Sequence, residues 1–528
     1  MTPRSAEAES PAETQAREAG AAPADEDVRT CLRVLRAIEA DRSHLTRLSR
    51  EDRRELLMLA GLVAKPERHD LVRMAKAFRR ADREAAKAHD RRVIEQAGLR
   101  VQRRSAAYAP LWLEPPEEPS VDDRPELKRD RACYVCKRPF AKVHRYYDSM
   151  CGDCGDFNYA KRAQTADLSG RFALVTGARV KIGFQASLKL LRAGAHVVAT
   201  TRFPVDAVQR YAKEADYAEF RARLQIHGLD QRHAPSVELF ARFLLERLPR
   251  LDYILNNACQ TVRRPAGFFQ HLLAQEATPP SALPPEWREP LTPHEELRHM
   301  LRRDPLEAPP LHPAGLPAQA PTRSHAEGLL HSAELSQRRY LDEDFRDGNA
   351  VFPKDRYDED LQQVDLRAVN SWRLRLHEVE TPELLEVHLV NAIAPYILNA
   401  RLKPLMLRTA AHDKHIVNVS AMEGQFYRTT KTDKHPHTNM AKAALNMMTR
   451  TSAPDFVQEG IHMNAVDTGW VTDEDPAVHA ARKTELGFAP PLDIIDGAAR
   501  IVDPIFTGQL TGTHVWGQFL KDYRPASW

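Results

Sequence analysis

Residues 171–183 read RFALVTGARVKIG. Arg171 to Gly177 is a short apolar run of the kind that forms a buried strand and ends at a turn, and Gln185 to Ala193 carries a helical pattern. A strand entering a Gly-containing turn and then a helix sets backbone N–H groups and the positive end of the helix dipole against a pyrophosphate. One such turn alone is common. Working outward, GAHVVATTR (194–202) supplies a second strand ending in a basic residue, and LDYILNNAC (251–259), HIVNVSAMEG (415–424) and MNAVDTGWVT (463–472) supply further strand ends. β-Branched runs alternating with helical patterns from Asp167 to Trp528 predict an α/β fold, a Rossmann-type doubly wound parallel sheet.

One stretch breaks the alternation. Between about 261 and 370 lie proline clusters such as ATPPSALPPEW and LEAPPLHPAGLPAQAPT. So much proline is not expected inside helices or sheets, so this reads as an insertion, mobile in large part. Removing roughly 110 residues from the 166–528 segment leaves about 250, an ordinary size for one α/β domain.

The order, spacing and identity of these segments resemble the short-chain dehydrogenases/reductases. That family carries TGxxxGxG after its first strand, an Asp after the third and NNAG after the fourth. Here these read TGARVKIG, Asp230 and NNAC, with Cys259 in the glycine place. Asn391 in VNAIAPYILNARLKPLM matches the family's helical Asn, Ser420 its Ser after the fifth strand, and Lys442 in HTNMAKAALNMMTR its Lys. The resemblance implies a dinucleotide site at Gly177, Arg179, Lys181, Gly183, Arg202, Asp230, Asn257, Lys442 and Thr472. It implies catalytic roles for Asn391, Ser420 and Lys442 in hydride transfer between a nicotinamide dinucleotide and a carbonyl or alcohol. Arg202 stands where an acid would bind the ribose 2′-hydroxyl of NAD(H), so NADP(H) is favoured and NAD(H) stays open.

The departures matter equally. Lys181 occupies the family's middle glycine, where a Cβ hinders close approach to phosphate, although its ammonium can pair with one. Thr468 replaces a proline. The family's Tyr-x-x-x-Lys uses the Lys cation to lower the phenol's pKa from about ten, but four residues before Lys442 stands Thr438. An aliphatic hydroxyl is too weak an acid for that step. Tyr427 in EGQFYR is the expected substitute, His435 and His437 are alternatives, and a further alternative is a sensor or scaffold that binds NADP(H) without turnover.

Upstream, Cys133-Tyr-Val-Cys136 and Cys151-Gly-Asp-Cys154 form two CxxC pairs separated by 14 residues. Two such knuckles supply four thiolates, a closed tetrahedral shell suited to structural Zn²⁺, with iron as an alternative. The module, 131–165, resembles a zinc ribbon. It is basic, which leaves open a protein partner and, as a lesser alternative, nucleic acid, although 76 Lys and Arg nearly balanced by 73 Asp and Glu argue against a chain built mainly to clamp nucleic acid. Residues 1–26 read as a disordered tail, 27–109 as a helical region and 110–130 as a Pro-rich linker. No apolar run is long enough for a membrane span, and the first residues lack the apolar core of a secretory signal. The expected compartment is the cytoplasm; a homo-oligomer is left open.

Overall fold

The computed structural model describes residues 23–104, 124–303, 323–345, 348–358, 362–427 and 431–528. Contacts divide the chain into two units, Met1–Ala86 and Lys87–Trp528. In the first, helices Asp25–Ala40 and Arg50–Ala64 bury no residue, and their apolar side chains, Leu57, Leu62 and Val63 among them, are exposed. Of the tail read over 1–26, residues 1–22 lie outside the described residues, and Asp25 and Glu26 open the helix Asp25–Ala40.

The second unit carries the expected doubly wound sheet. Its strands are β1 (Glu126–Ala132), β2 (Pro139–Lys142), β3 (Phe172–Thr176), β4 (His196–Thr201), β5 (Leu224–Gly228), β6 (Tyr253–Asn256), β7 (Lys414–Ser420), β8 (Ile461–Asp467), β9 (Phe519–Lys521) and β10 (Arg524–Ala526). The large sheet runs β10-β9-β8-β7-β6-β3-β4-β5 and is parallel except for the terminal β9–β10 hairpin. Strand residues alternate between two cores. Ala173, Val175, Val197 and Val417 pack with helices Lys181–Arg192 and Ile494–Thr511, whereas Leu174, Val198 and Ile416 pack with helices Ala234–Arg247 and Ala394–Met406. Burial on both faces is why these strands read as continuous apolar runs. Strand order reverses between β3 and β6, and the crevice beyond the strand ends at such a point is where an open α/β sheet binds ligands.

The insertion departs from expectation. Helices Ala266–Glu276 and Pro285–Arg303 form within it, the second running through Pro290 and Pro293. A helical proline leaves the carbonyl four residues earlier without its N–H donor. For Pro290 that carbonyl is Glu286 O, and the Tyr217 hydroxyl donates to it at 2.6 Å. Tertiary packing thus replaces the bond that local sequence deletes. The LEAPPLHPAGLPAQAPT cluster lies outside the described residues.

Upstream, β1 begins at Glu126, inside the stretch that composition reads as linker, and pairs with β2 as an antiparallel hairpin. This hairpin, with helix Gly152–Ala163, carries the four cysteines. No described helix is long and apolar enough to cross a membrane.

Candidate active site and metal centre

A cleft of about 1040 Å³ opens at the carboxyl ends of β3, β4, β6, β7 and β8. The nine residues proposed for the dinucleotide all line it: Gly177, Arg179, Lys181, Gly183, Arg202 and Asp230 towards one part, with Asn257, Lys442 and Thr472. The glycines are there for space. A Cβ on Gly183 would stand 2.3 Å from Gly177 O and 2.4 Å from Asn257 Nδ2, and Gly177 has φ +66°. Asn257 Nδ2 donates to Thr176 O and Gly177 O, so the end of β6 holds the turn after β3.

Lys181, in the place of a third glycine, adopts a left-handed φ of 54°. Burial raises the Glu474 carboxyl pKa, but the charges of Lys181 and Arg264 outweigh it and hold that pKa below the usual range. Lys181 therefore faces the loop after β8 as well as the cleft.

The basic groups divide by what they already bind. Arg179 donates to Asp206 Oδ2 at 2.7 Å, so its guanidinium is already engaged by a carboxylate. Asp230 is similarly occupied, bound by the Arg232 guanidinium at 2.6 Å. Arg202 differs. Its guanidinium lies over the Phe269 ring at 4.5 Å and pairs with no carboxylate among the described residues. Burial, aided by the Arg232 charge, lowers its pKa to about 10, which still leaves it cationic at neutrality. The result is a cleft-lining cation against the Phe203 and Phe269 rings, within the fields of Arg232, Asp230, Arg179 and Glu386.

Further in, Ser420 Oγ donates to Asn446 Oδ1 at 2.6 Å, and Lys442 Nζ donates to Val419 O at 2.8 Å. Lys442 keeps two of its three donors for other partners. Thr438 also lines the cleft, and its buried Oγ1 has no partner among the described residues. Asn391 does not line it. It sits in a π-helical turn, Leu389–Ile393, where its amide accepts from Gln260 N at 2.8 Å and donates to Gln260 O, fixing the segment after β6.

The Tyr427 expectation is corrected. Its side chain is 80 % exposed and is not among the cleft-lining groups. The turn Met422–Gly424 and the extended segment after it carry Phe426 and Tyr427 outward instead of folding them over Ser420. Of the two alternative histidines, His437 is buried against Glu383. His435 lines the cleft, stacked on Trp372 at 3.9 Å with a left-handed φ of 41°. Its Nδ1 has no partner among the described residues, and burial lowers its pKa from the usual value.

The sequence gives no warning of one neighbour. Tyr134, inside the first CxxC, lines the cleft, and its hydroxyl accepts from Trp470 N in the loop after β8. Thr472, in the same loop, donates to Glu474 Oε1 at 2.7 Å.

The sulfurs of Cys133, Cys136, Cys151 and Cys154 all lie within 4.8 Å of one another, with Cys136 and Cys151 3.7 Å apart. A tetrahedron with metal–sulfur bonds of about 2.3 Å has edges of about 3.8 Å, so the set fits one ion. The Arg138 backbone N–H draws the Cys136 thiol down to about 6, while burial raises Cys151 and Cys154. Cys133 belongs to a hydrophobic cluster with Tyr147, Met150, Val471, Leu492 and Ile495, so the cysteine module and the cleft wall share a core.

With that geometry in view, the comparisons are specific. A family model described as short chain dehydrogenase matches residues 171–276, and one described as enoyl-(acyl carrier protein) reductase matches 367–486. The two matches flank the insertion and carry the turn, Ser420 and Lys442. The chain belongs to the short-chain dehydrogenase/reductase family. An uncharacterized protein of Acanthamoeba polyphaga mimivirus is 31% identical over 405 residues, 74% of this chain and 74% of that protein. The (-)-isopiperitenone reductase of Mentha piperita is 37% identical over 91 residues, 17% of this chain and 28% of that enzyme. Among solved structures, an NADPH-bound carbonyl reductase from chicken fatty liver is 17% identical, covering 68% of this chain and 100% of that one at a TM-score of 0.40.

Proposed function

We propose that this chain is an NADP(H)-dependent oxidoreductase that interconverts an alcohol and a carbonyl compound, with His435 in place of the missing tyrosine. The observation that carries the reading is a single cleft lined by the glycine turn, by Arg202, which pairs with no carboxylate among the described residues, and by Ser420, His435 and Lys442. A dinucleotide bound there accepts or supplies the hydride; the chain's own residues do the rest. Gly177 and Gly183 admit the pyrophosphate, and Arg202 takes a 2′-phosphate, which NAD(H) lacks. Ser420 orients the substrate oxygen. His435, neutral at pH 7 because burial lowers its pKa, takes the hydroxyl proton as the carbonyl forms, and the Lys442 cation offsets negative charge developing on that oxygen. The four thiolates hold Zn²⁺ as a structural ion, since no coordination position is left for substrate.

A second reading has its own observation. Thr438 stands where the tyrosine would be and Tyr427 points away, which suits a domain that binds NADP(H) and turns over nothing. Calorimetry with NADP(H), followed by an absorbance assay across alcohols and carbonyls, separates the two. Binding with turnover supports the oxidoreductase, binding alone supports the sensor or scaffold, and no binding removes both. Thr438→Tyr is the companion variant: the oxidoreductase reading expects a rise in turnover as a phenol joins Lys442 in the cleft.

A further inference from the structure

At the opposite end of the sheet from the cleft, three histidines converge. Parallel pairing sets His415 beside His462 near the starts of β7 and β8, five positions before Ser420 and Asp467 at the cleft end. His514, in the segment between helix Ile494–Thr511 and β9, reaches in over both. One nitrogen from each ring lies within 4.8 Å of the others, and His415 Nε2 is 2.9 Å from His514 Nδ1. The His462 and His514 rings stack with centroids 4.8 Å apart.

Several features suit this cluster to an ion better than to packing. His462 Nδ1 is 3.2 Å from Lys414 O, and a proton donated there leaves the Nε2 lone pair free. Metal-binding histidines are typically oriented by such a bond to a backbone carbonyl. His415 is fully buried and its Nδ1 finds no partner among the described residues. Gly508 makes room: a Cβ there would stand 2.4 Å from His514 Nδ1 and 3.1 Å from His415 Nε2. Burial lowers the pKa of all three rings, and neutral imidazole is the form that ligates. The nearby carboxylate, Asp413, is held by Arg171 and Gln509, and burial outweighs its upward pull on the His462 and His514 pKa values.

We infer that His415, His462 and His514 form a second metal site, for a divalent cation of the zinc class. Imidazole nitrogens about 2.1 Å from a tetrahedral ion stand about 3.4 Å apart, so the His415–His514 contact opens by about 0.5 Å on binding. His514 is half-exposed on a connecting segment and is the ring free to move. Three imidazoles leave a fourth position for water. The ion would tie β7, β8 and the segment that leads into β9.

The test uses the full chain, stripped with chelator under reducing conditions and titrated with Co²⁺. Two ions per chain are expected. One gives the intense near-ultraviolet charge transfer of thiolate ligands, the other only weak visible bands. In His514→Ala the second ion binds at least about tenfold more weakly, while the thiolate band persists as evidence that the chain is folded. Lack of the thiolate-free ion in the wild type, or unchanged affinity for it in His514→Ala, overturns the inference. An independent check needs no variant. X-ray absorption of zinc-loaded wild type should show nitrogen or oxygen scatterers besides any sulfur, and a shell of sulfur alone overturns the site.

Discussion

The Tyr134 hydroxyl accepts a hydrogen bond from the Trp470 backbone N–H at 2.9 Å. Tyr134 sits between two cysteines of the metal module, and Trp470 sits in the loop that closes one side of the cleft. This bond links the cysteine module to a loop that lines the cleft. A net hydrogen bond contributes about 1 kcal/mol. Tyr134→Phe should weaken NADP(H) binding by about fivefold, measured by calorimetry, with little change in melting temperature. Stripping the metal should weaken binding at least as much; unchanged affinity in both experiments would separate the module from the cleft.

Arg202 is the specificity test. A charge-assisted bond to a phosphate is worth about 1.5–3 kcal/mol, so Arg202→Leu should weaken NADP(H) by about 10–100-fold and leave NAD(H) nearly unchanged. Equal losses for the two dinucleotides would show that Arg202 supports the cleft wall and does not read the 2′ position. Arg179→Leu tests a different matter. Because Arg179 is bound to Asp206, its loss should lower stability more than it lowers NADP(H) preference.

His435 and Tyr427 separate the two proton routes. His435→Gln should lower turnover by about 10²–10⁴-fold with dinucleotide binding retained, whereas Tyr427→Phe should leave turnover unchanged. The base form of His435 is the working form in alcohol oxidation. Its lowered pKa puts the acid limb of the kcat/KM profile below about pH 6.5 and leaves a plateau at neutrality. A profile that instead rises near the pKa of a phenol would restore a tyrosine to the mechanism.

How much of this was legible follows from what is local. The turn 171–183, the strand ends and the CxxC spacings are set by residues a few positions apart, and the structure puts their carriers in one cleft and one cysteine cluster. Tyr427 lies seven positions from Ser420, yet backbone direction after Gly424 turned it outward, and spacing does not encode direction. Proline content misread the helix Pro285–Arg303, because the donor that replaces its missing N–H is Tyr217, far away in sequence. Tyr134 at the cleft and the histidine trio depend on segments joined only by the fold, which no single motif carries.

Acid stability gives a final prediction. His227 on β5 is fully buried among Phe240, Phe243 and His294, and neither ring nitrogen has a partner among the described residues. Burial lowers its pKa to about 3, against about 6.5 in the unfolded chain. As pH falls below about 6.5 the unfolded chain binds a proton that the folded chain refuses. Stability is therefore lost on acidification, with a limiting slope of about 1.4 kcal/mol per pH unit from this residue. It is unaffected by His227 at pH 8, where both states are neutral. His227→Leu removes the titrating group and keeps an apolar side chain of similar size. The variant should lose stability less steeply than wild type between pH 6.5 and about 4 in urea denaturation. Parallel pH profiles for the two proteins would mean that His227 becomes protonated without unfolding, and that its pocket admits water.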